Sequence, residues 1–282
     1  MSRKVWIVGP IAWDTVIYID EFPAKGGFVQ ARRKIERVGG TAGNVAIALA
    51  TADVDTGFVT YIGKDEFGAK IKKLLTESQI SELKIKEIDD ETSHVVVAID
   101  KTGDRTIIGL NISHLNQVNL KDVPLGPTDI VCFVVWRDYF LESLLIAQKA
   151  GCTTVVGAEA LEDKNVKYAD IVIGSRAEYS LENDMSQYLD RFSRIVLTSG
   201  ENGVHQYEAG KTTFKQALKV NAIDTTGAGD SFLAGYLAAL AKGDQSGIQG
   251  MEAGIHWAAL MVTKEQSIPP NWSEIPGHDR LL

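Results

Sequence analysis

The sequence predicts an α/β fold of three αβα layers, in which a mostly parallel central sheet is covered by helices on both faces and carries a small β lid. Three observations lead there. Short apolar runs alternate with helical stretches from residue 128 onward at the spacing of βαβ units. The same alternation is present between residues 44 and 77. Two β-rich segments, at about 15–37 and 92–110, interrupt it with turn residues and little apolar content to bury by themselves, and these are expected to form the lid. Residues 1–282 are accordingly expected to make a single domain.

In chain order, Val5–Val8 is a short apolar run closed by Gly9-Pro10 and reads as a buried first strand, with Asp14 just beyond its carboxyl end. Thr15–Asp20 and Phe28–Ile35 are β-leaning pieces separated by Pro23-Ala24-Lys25-Gly26-Gly27. A helix is expected from Asn44 to Ala50, a strand at Gly57–Ile62 and a helix at Glu66–Glu77. His94–Ile99 and Arg105–Ile108 form the second β pair, around Asp100-Lys101-Thr102-Gly103-Asp104. Strands follow near Ile130–Val135, Thr153–Gly157, Ile171–Ile173 and Arg194–Thr198, with helices near Tyr139–Ala150 and Ala177–Leu189. Short strands at Val204–Glu208 and Thr212–Lys215 precede two long helices, about Gly229–Ala241 and Ile248–Lys264, and a Pro-containing irregular end.

Composition narrows the function classes. A chain of 282 residues with 45% hydrophobic content buries a substantial core. It contains no apolar run of the ~18 residues that a membrane helix needs, and its amino terminus is unlike a secretory signal, so a cytoplasmic protein with no membrane partner is expected. Cys132 and Cys152 are too few for a disulfide framework. A formal charge of −8 without clustered Lys and Arg argues against a nucleic-acid partner. The 5 histidines show no metal-ligand spacing.

The segment that carries chemistry is Asp224-Thr225-Thr226-Gly227-Ala228-Gly229-Asp230-Ser231-Phe232. Its glycines permit a tight turn directly before a helix of small residues, so that unpaired N–H donors and the positive end of the helix dipole converge on one point. Such a turn stabilises negative charge on a transferring phosphoryl group, which makes Gly227, Ala228 and Gly229 the candidate anion hole. Asp230, in the first helical turn, is placed to accept the proton of an attacking alcohol. A dinucleotide-binding fingerprint is excluded, because the third glycine is absent and the segment lies late in the chain. Gly210-Lys211-Thr212 is not a P-loop, because His205 stands where the loop needs its first glycine.

Together with Gly39-Gly40-Thr41-Ala42-Gly43-Asn44, that nonapeptide resembles the signatures of the ribokinase-like, PfkB family of carbohydrate kinases, over nearly the whole chain. The resemblance implies a ribokinase-like fold, ATP as phosphoryl donor with Mg2+, and a sugar or sugar-like alcohol as acceptor. It further implies Asp14, Gly40 and Asn44 as substrate-hydroxyl ligands. Arg137, in Trp136-Arg137-Asp138, falls where relatives contact substrate and suits a carboxylate or phosphate. Thr198-Ser199-Gly200-Glu201-Asn202-Gly203 is similar to a family loop bordering the nucleotide, so Thr198, Gly200 and Gly203 are expected there. Asp224 and Thr226 match positions that hold a monovalent cation in many relatives, which makes K+ a further expectation.

Two departures bear on these expectations. Relatives carry Asn-x-x-Glu for magnesium and its waters, whereas this chain has Ser175-Arg176-Ala177-Glu178, keeping Glu178 but placing a Ser175 hydroxyl in place of the amide. Thr41 stands where ribokinase itself has lysine, which puts ribose specificity in doubt. A nucleoside kinase of the same family, with Trp13, Tyr18 or Phe28 stacking on a base, is the nearest alternative. A non-catalytic sugar-binding relative is the second. Exposed β edges in the lid make a homodimer through that lid an expectation.

Overall fold

A computed structural model describes residues 3–103, 105–111, 113–177 and 185–282. Its first half runs β1 (Val5–Val8), β2 (Ala12–Tyr18), β3 (Arg33–Gly39), α1 (Thr41–Ala50), β4 (Thr56–Gly63), α2 (Glu66–Glu77), β5 (Glu82–Ile88), β6 (His94–Ile99) and β7 (Arg105–Gly109). The second half runs β8 (Ile130–Phe133), α3 (Leu141–Lys149), β9 (Thr153–Gly157), β10 (Ala169–Ser175), β11 (Phe192–Thr198), β12 (Val204–Glu208), β13 (Lys211–Lys215), α4 (Ala228–Ala241) and α5 (Ile248–Met261).

The main sheet has 9 strands in the order β13-β12-β11-β10-β9-β8-β1-β4-β5. It is parallel from β5 to β11, and β12 and β13 add antiparallel at one edge. At its centre Val5-Trp6-Ile7-Val8 is wholly buried, as a strand covered on both faces must be. Strand alternation sends Val5 and Ile7 into the core beneath α1, α2, α4 and α5, and Trp6 and Val8 into the core beneath α3. Because β4 and β8 flank β1, the chain leaves the centre in both directions, and the crevice at the carboxyl ends of β1 and β8 is where open α/β sheets keep ligands.

A second sheet has 4 strands in the order β3-β2-β6-β7. Parallel pairing of β2 with β6 fuses the two β-rich segments that the sequence shows far apart. Asp65 fastens this sheet to the body. Its Oδ1 accepts the Gly68 N–H at 2.7 Å, capping α2, and the Thr92 hydroxyl at 2.7 Å, while Oδ2 accepts the Thr92 N–H at 2.7 Å just before β6. Phe67, in the first turn of α2, stacks on Trp13 at 5.5 Å and meets the edge of His94 at 4.7 Å.

The structure departs from the sequence expectations in three places. Glu82–Ile88 forms β5, unanticipated because its Lys and Glu content masks a period-2 alternation that an edge strand tolerates. Phe28 is 85% exposed and outside any strand, and β3 begins only at Arg33, opposite Tyr18 where its partner strand β2 ends. Of the helix expected at Ala177–Leu189, residues 178–184, Glu178 included, lie outside the described residues, and at its described end Ser186–Tyr188 make one 3-10 turn.

Phe58, fully buried on β4, tests how tightly this core is packed. Phe58→Ala is expected to lose about 3–5 kcal/mol in urea unfolding at unchanged slope; a loss below about 1 kcal/mol would show a core that collapses around the void.

Candidate active site

Two helix starts meet above the sheet. Gly40 precedes α1 at φ 85°, and a Cβ there would come within 2.8 Å of Ala12 N, so only glycine lets α1 begin so close to β2. One turn later Asn44 donates its backbone N–H to Gly40 O at 3.0 Å and turns its amide toward α4. Gly227 precedes α4 at φ 77°, where a Cβ would lie 2.7 Å from Ser267 O. No side chain caps α4, and the Gly229 N–H finds no acceptor among the described residues.

The two starts are joined by one hydrogen bond: Asn44 Nδ2 donates to Asp230 Oδ2 at 2.8 Å, across 186 residues of sequence. The bond leaves Asn44 Oδ1 buried and without a partner. Asp14, on β2, rests its carboxylate on the Gly39 backbone and is only 6% exposed. Burial pushes its carboxyl from the ordinary 3.8 up to about 6, against an opposing pull from Arg37.

Apart from Trp13 Nε1 and His205 Nδ1, every buried side-chain polar atom without a hydrogen-bond partner among the described residues belongs to Asp14, Tyr18, Arg37, Asn44 or Asp224. Buried polar groups are almost always satisfied, so this concentration marks a place built for polar ligand atoms or ordered water. The four-stranded sheet closes over it, with Arg105 Nη1 donating to Thr226 Oγ1 at 3.1 Å and Arg33 paired to Glu265 at 3.0 Å.

The remaining sequence candidates distribute around this centre. Asp224 Oδ1 accepts the Thr226 N–H at 2.8 Å, and its other oxygen is the orphaned one. Ser175 and Thr198 are register partners at the carboxyl ends of β10 and β11. Gly200 opens the 3-10 turn Gly200–Asn202, and the Gly203 N–H closes it onto Gly200 O at 3.2 Å, so that amide is engaged within the turn. Arg137 donates to Glu159 Oε1 at 2.9 Å and to Trp136 O at 2.6 Å, and no hydrogen bond joins it to Asp14, Asn44 or Asp230. Among the described residues no group of three His, Cys, Asp or Glu gathers as a metal site. No described helix is long and apolar enough to cross a membrane. Arg37 and Arg105 escaped the sequence reading; the one available signal was a basic residue two places before Gly39.

The family model for pfkB family carbohydrate kinases matches residues 2–274. The chain belongs to that family. PfkB enzymes are phosphotransferases that use ATP, generally with Mg2+. Among relatives, a ribokinase of Staphylococcus aureus is 26% identical over 296 residues, covering 95% of this chain and 97% of its own. A fructokinase of Klebsiella pneumoniae is 27% identical, covering 86% and 85%. In three dimensions a ribokinase of Thermotoga maritima superposes with a TM-score of 0.80 at 20% identity, over 99% of this chain and 100% of its own, which places this PfkB member in the ribokinase fold.

The raised Asp14 pKa has a sign that can be checked. The unfolded chain ionises this group near its ordinary 3.8 and the folded chain only near about 6, so the stability contributed by a buried neutral carboxyl is intact below the lower value and is lost as pH rises through the upper one. Asp14→Asn, neutral throughout, is expected to be more stable than wild type above pH ~7, by up to about 3 kcal/mol, with the difference vanishing near pH ~4. Urea unfolding across that range checks it; a difference independent of pH would contradict the assignment.

Proposed function

We propose that this PfkB enzyme transfers the γ-phosphoryl group of ATP to the hydroxymethyl group of a sugar or sugar-like acceptor, with Asp230 as general base. The observation that carries this reading is the Asn44–Asp230 hydrogen bond of 2.8 Å, which fixes a carboxylate at the uncapped start of α4. The acceptor alcohol lies between the carboxylate and the γ-phosphorus. Its oxygen forms the new O–P bond as the bond to the β–γ bridging oxygen breaks, its proton passes to Asp230, and ADP leaves. A loose transition state asks mainly for orientation and a late proton acceptor, for which an ordinary carboxylate suffices.

The turn Gly227-Ala228-Gly229 supplies the anion hole, with the Gly229 amide facing the charge that builds on the phosphoryl oxygens, while the Ala228 N–H donates to Thr225 O at 3.3 Å and would have to release that contact to join it. Asp14 and Asn44 Oδ1 accept hydrogen bonds from acceptor hydroxyls, and Gly40 gives them room. Thr198, Gly200 and Ser175 border the nucleotide from the ends of β10 and β11. With ATP bound, Mg2+ supplies charge neutralisation on the phosphates, and Ser175 with Glu178 would order its waters. The orphaned Asp224 Oδ2 beside Thr226 suits a K+ ion. Exposed Ile107, Ile108 and Leu110 along the edge strand β7 support a homodimer joined through the four-stranded sheet, which acts as the lid.

Asp230→Ala is expected to lower kcat for acceptor-dependent ADP formation by about 10²–10⁴-fold with unchanged circular dichroism. Retention of most of kcat would remove Asp230 from the mechanism.

A further inference from the structure

Arg37 is an exception among the half-buried arginines of this chain. Arg191 donates to the carbonyls of Leu161, Asp163 and Val166, Arg194 forks onto Glu208, and Arg3 reaches Thr128 and Thr153. All three nitrogens of the Arg37 guanidinium are buried, yet none has a hydrogen-bond partner among the described residues. No described carboxylate oxygen lies within the 4.0 Å that would make an ion pair with it.

Its placement explains what that space is for. Arg37 sits opposite Asp14 in the β2–β3 register, on the face of the lid sheet that also bears Val16, Tyr18 and Ile35. Its charge acts on both Asp14 and Tyr18, and Asp224 acts on Tyr18 with the opposite sign. A structural ion pair would have closed to hydrogen-bond distance; here no hydrogen bond or ion pair joins Arg37 to Asp14 or Asp224. The orphaned atoms differ by type: Asp14 Oδ1, Asn44 Oδ1 and Asp224 Oδ2 are acceptors, the Tyr18 hydroxyl can donate or accept, and the Arg37 nitrogens are donors. Acceptor oxygens suit the hydroxyl protons of a polyol. A planar guanidinium fork suits two oxygens of one oxyanion, whereas a neutral hydroxyl would satisfy one N–H and leave the buried charge uncompensated.

We infer that Arg37 is a specificity-determining residue that binds an oxyanion, carboxylate or phosphate, on the acceptor, so that the substrate is an acidic or already phosphorylated sugar rather than a neutral one. This rests on the kinase reading above and narrows it. In that arrangement Asp14 and Asn44 hold the hydroxyls, Asp230 faces the hydroxymethyl group, and the anionic group lies under β3.

The test compares kcat/KM, with MgATP and coupled ADP detection, for matched acceptors: ribose against ribose 1-phosphate as the phosphate arm, and fructose against 2-keto-3-deoxygluconate as the carboxylate arm. Wild type is expected to prefer one anionic member over its neutral partner by at least about tenfold, and the arm that shows it identifies the oxyanion. Arg37→Met is expected to lower that ratio by about 10- to 100-fold, as loss of charged hydrogen bonds does, and Arg37→Lys by less. Should Arg37→Met fail to fold, the Arg37→Lys ratio and calorimetric binding of the four acceptors to wild type decide. Equal or better use of the neutral members by wild type, or a ratio unmoved by substitution, overturns the role of Arg37 while leaving the kinase reading standing. Absence of turnover with every acceptor defeats both.

Discussion

One hydrogen bond, from Asn44 to Asp230, sets the geometry on which the rest of the site depends. It ties the first turn of α1 to the first turn of α4, two helices that start at glycines because nothing larger fits. The amide fixes one carboxylate oxygen, and the rotation that would take the acid away from the α4 amides is thereby restrained. The same amide then has a single remaining acceptor, Oδ1, and burial without a partner directs it to ligand. In the proposed mechanism, base, anion hole and part of the acceptor pocket therefore share one positional constraint, supplied by helices that pack on the same face of the sheet.

The β lid extends this logic outward. It is anchored at its base by Asp65 and touches the body at its far side through Arg105 and Arg33. Between those contacts lies the concentration of unpaired donors and acceptors, whose desolvation is unfavourable unless a ligand or ordered water satisfies them. Asp14 registers that cost directly in its raised pKa. In the proposed mechanism, this sheet acts as a lid over such groups, which excludes water from phosphoryl transfer and rewards an acceptor of matching polarity.

How much of this was legible in the sequence follows from the range of each interaction. The α4 turn and the α1 start are local: glycine spacing, a following small-residue helix and a polar residue one turn in are readable without knowing the fold, and so Asp230 and Asn44 could be named. Strand β1 was readable because both its faces are apolar. Strand β5 was missed because charged residues occupy an edge whose solvent face tolerates them. Arg37 was missed for a different reason. Its partner position depends on the β2–β3 register, and the loop between those strands is too long for turn geometry to fix register. Reading the second strand as 28–35 left Arg37 beyond its end, whereas the folded strand spans 33–39 and sets it opposite Asp14.

The central claim is that Asn44 and Asp230 act as one unit, and a double-mutant cycle on kcat at saturating acceptor tests it most directly. Asn44→Ala, Asp230→Ala and the double variant would be compared with wild type by acceptor-dependent ADP release, using long incubations for the slow variants. The account predicts that Asn44→Ala lowers kcat at saturating acceptor by at least about tenfold in wild type and has little further effect on kcat once Asp230 is alanine, while KM rises in both backgrounds as Oδ1 is lost. Fully additive losses in the double variant would contradict it.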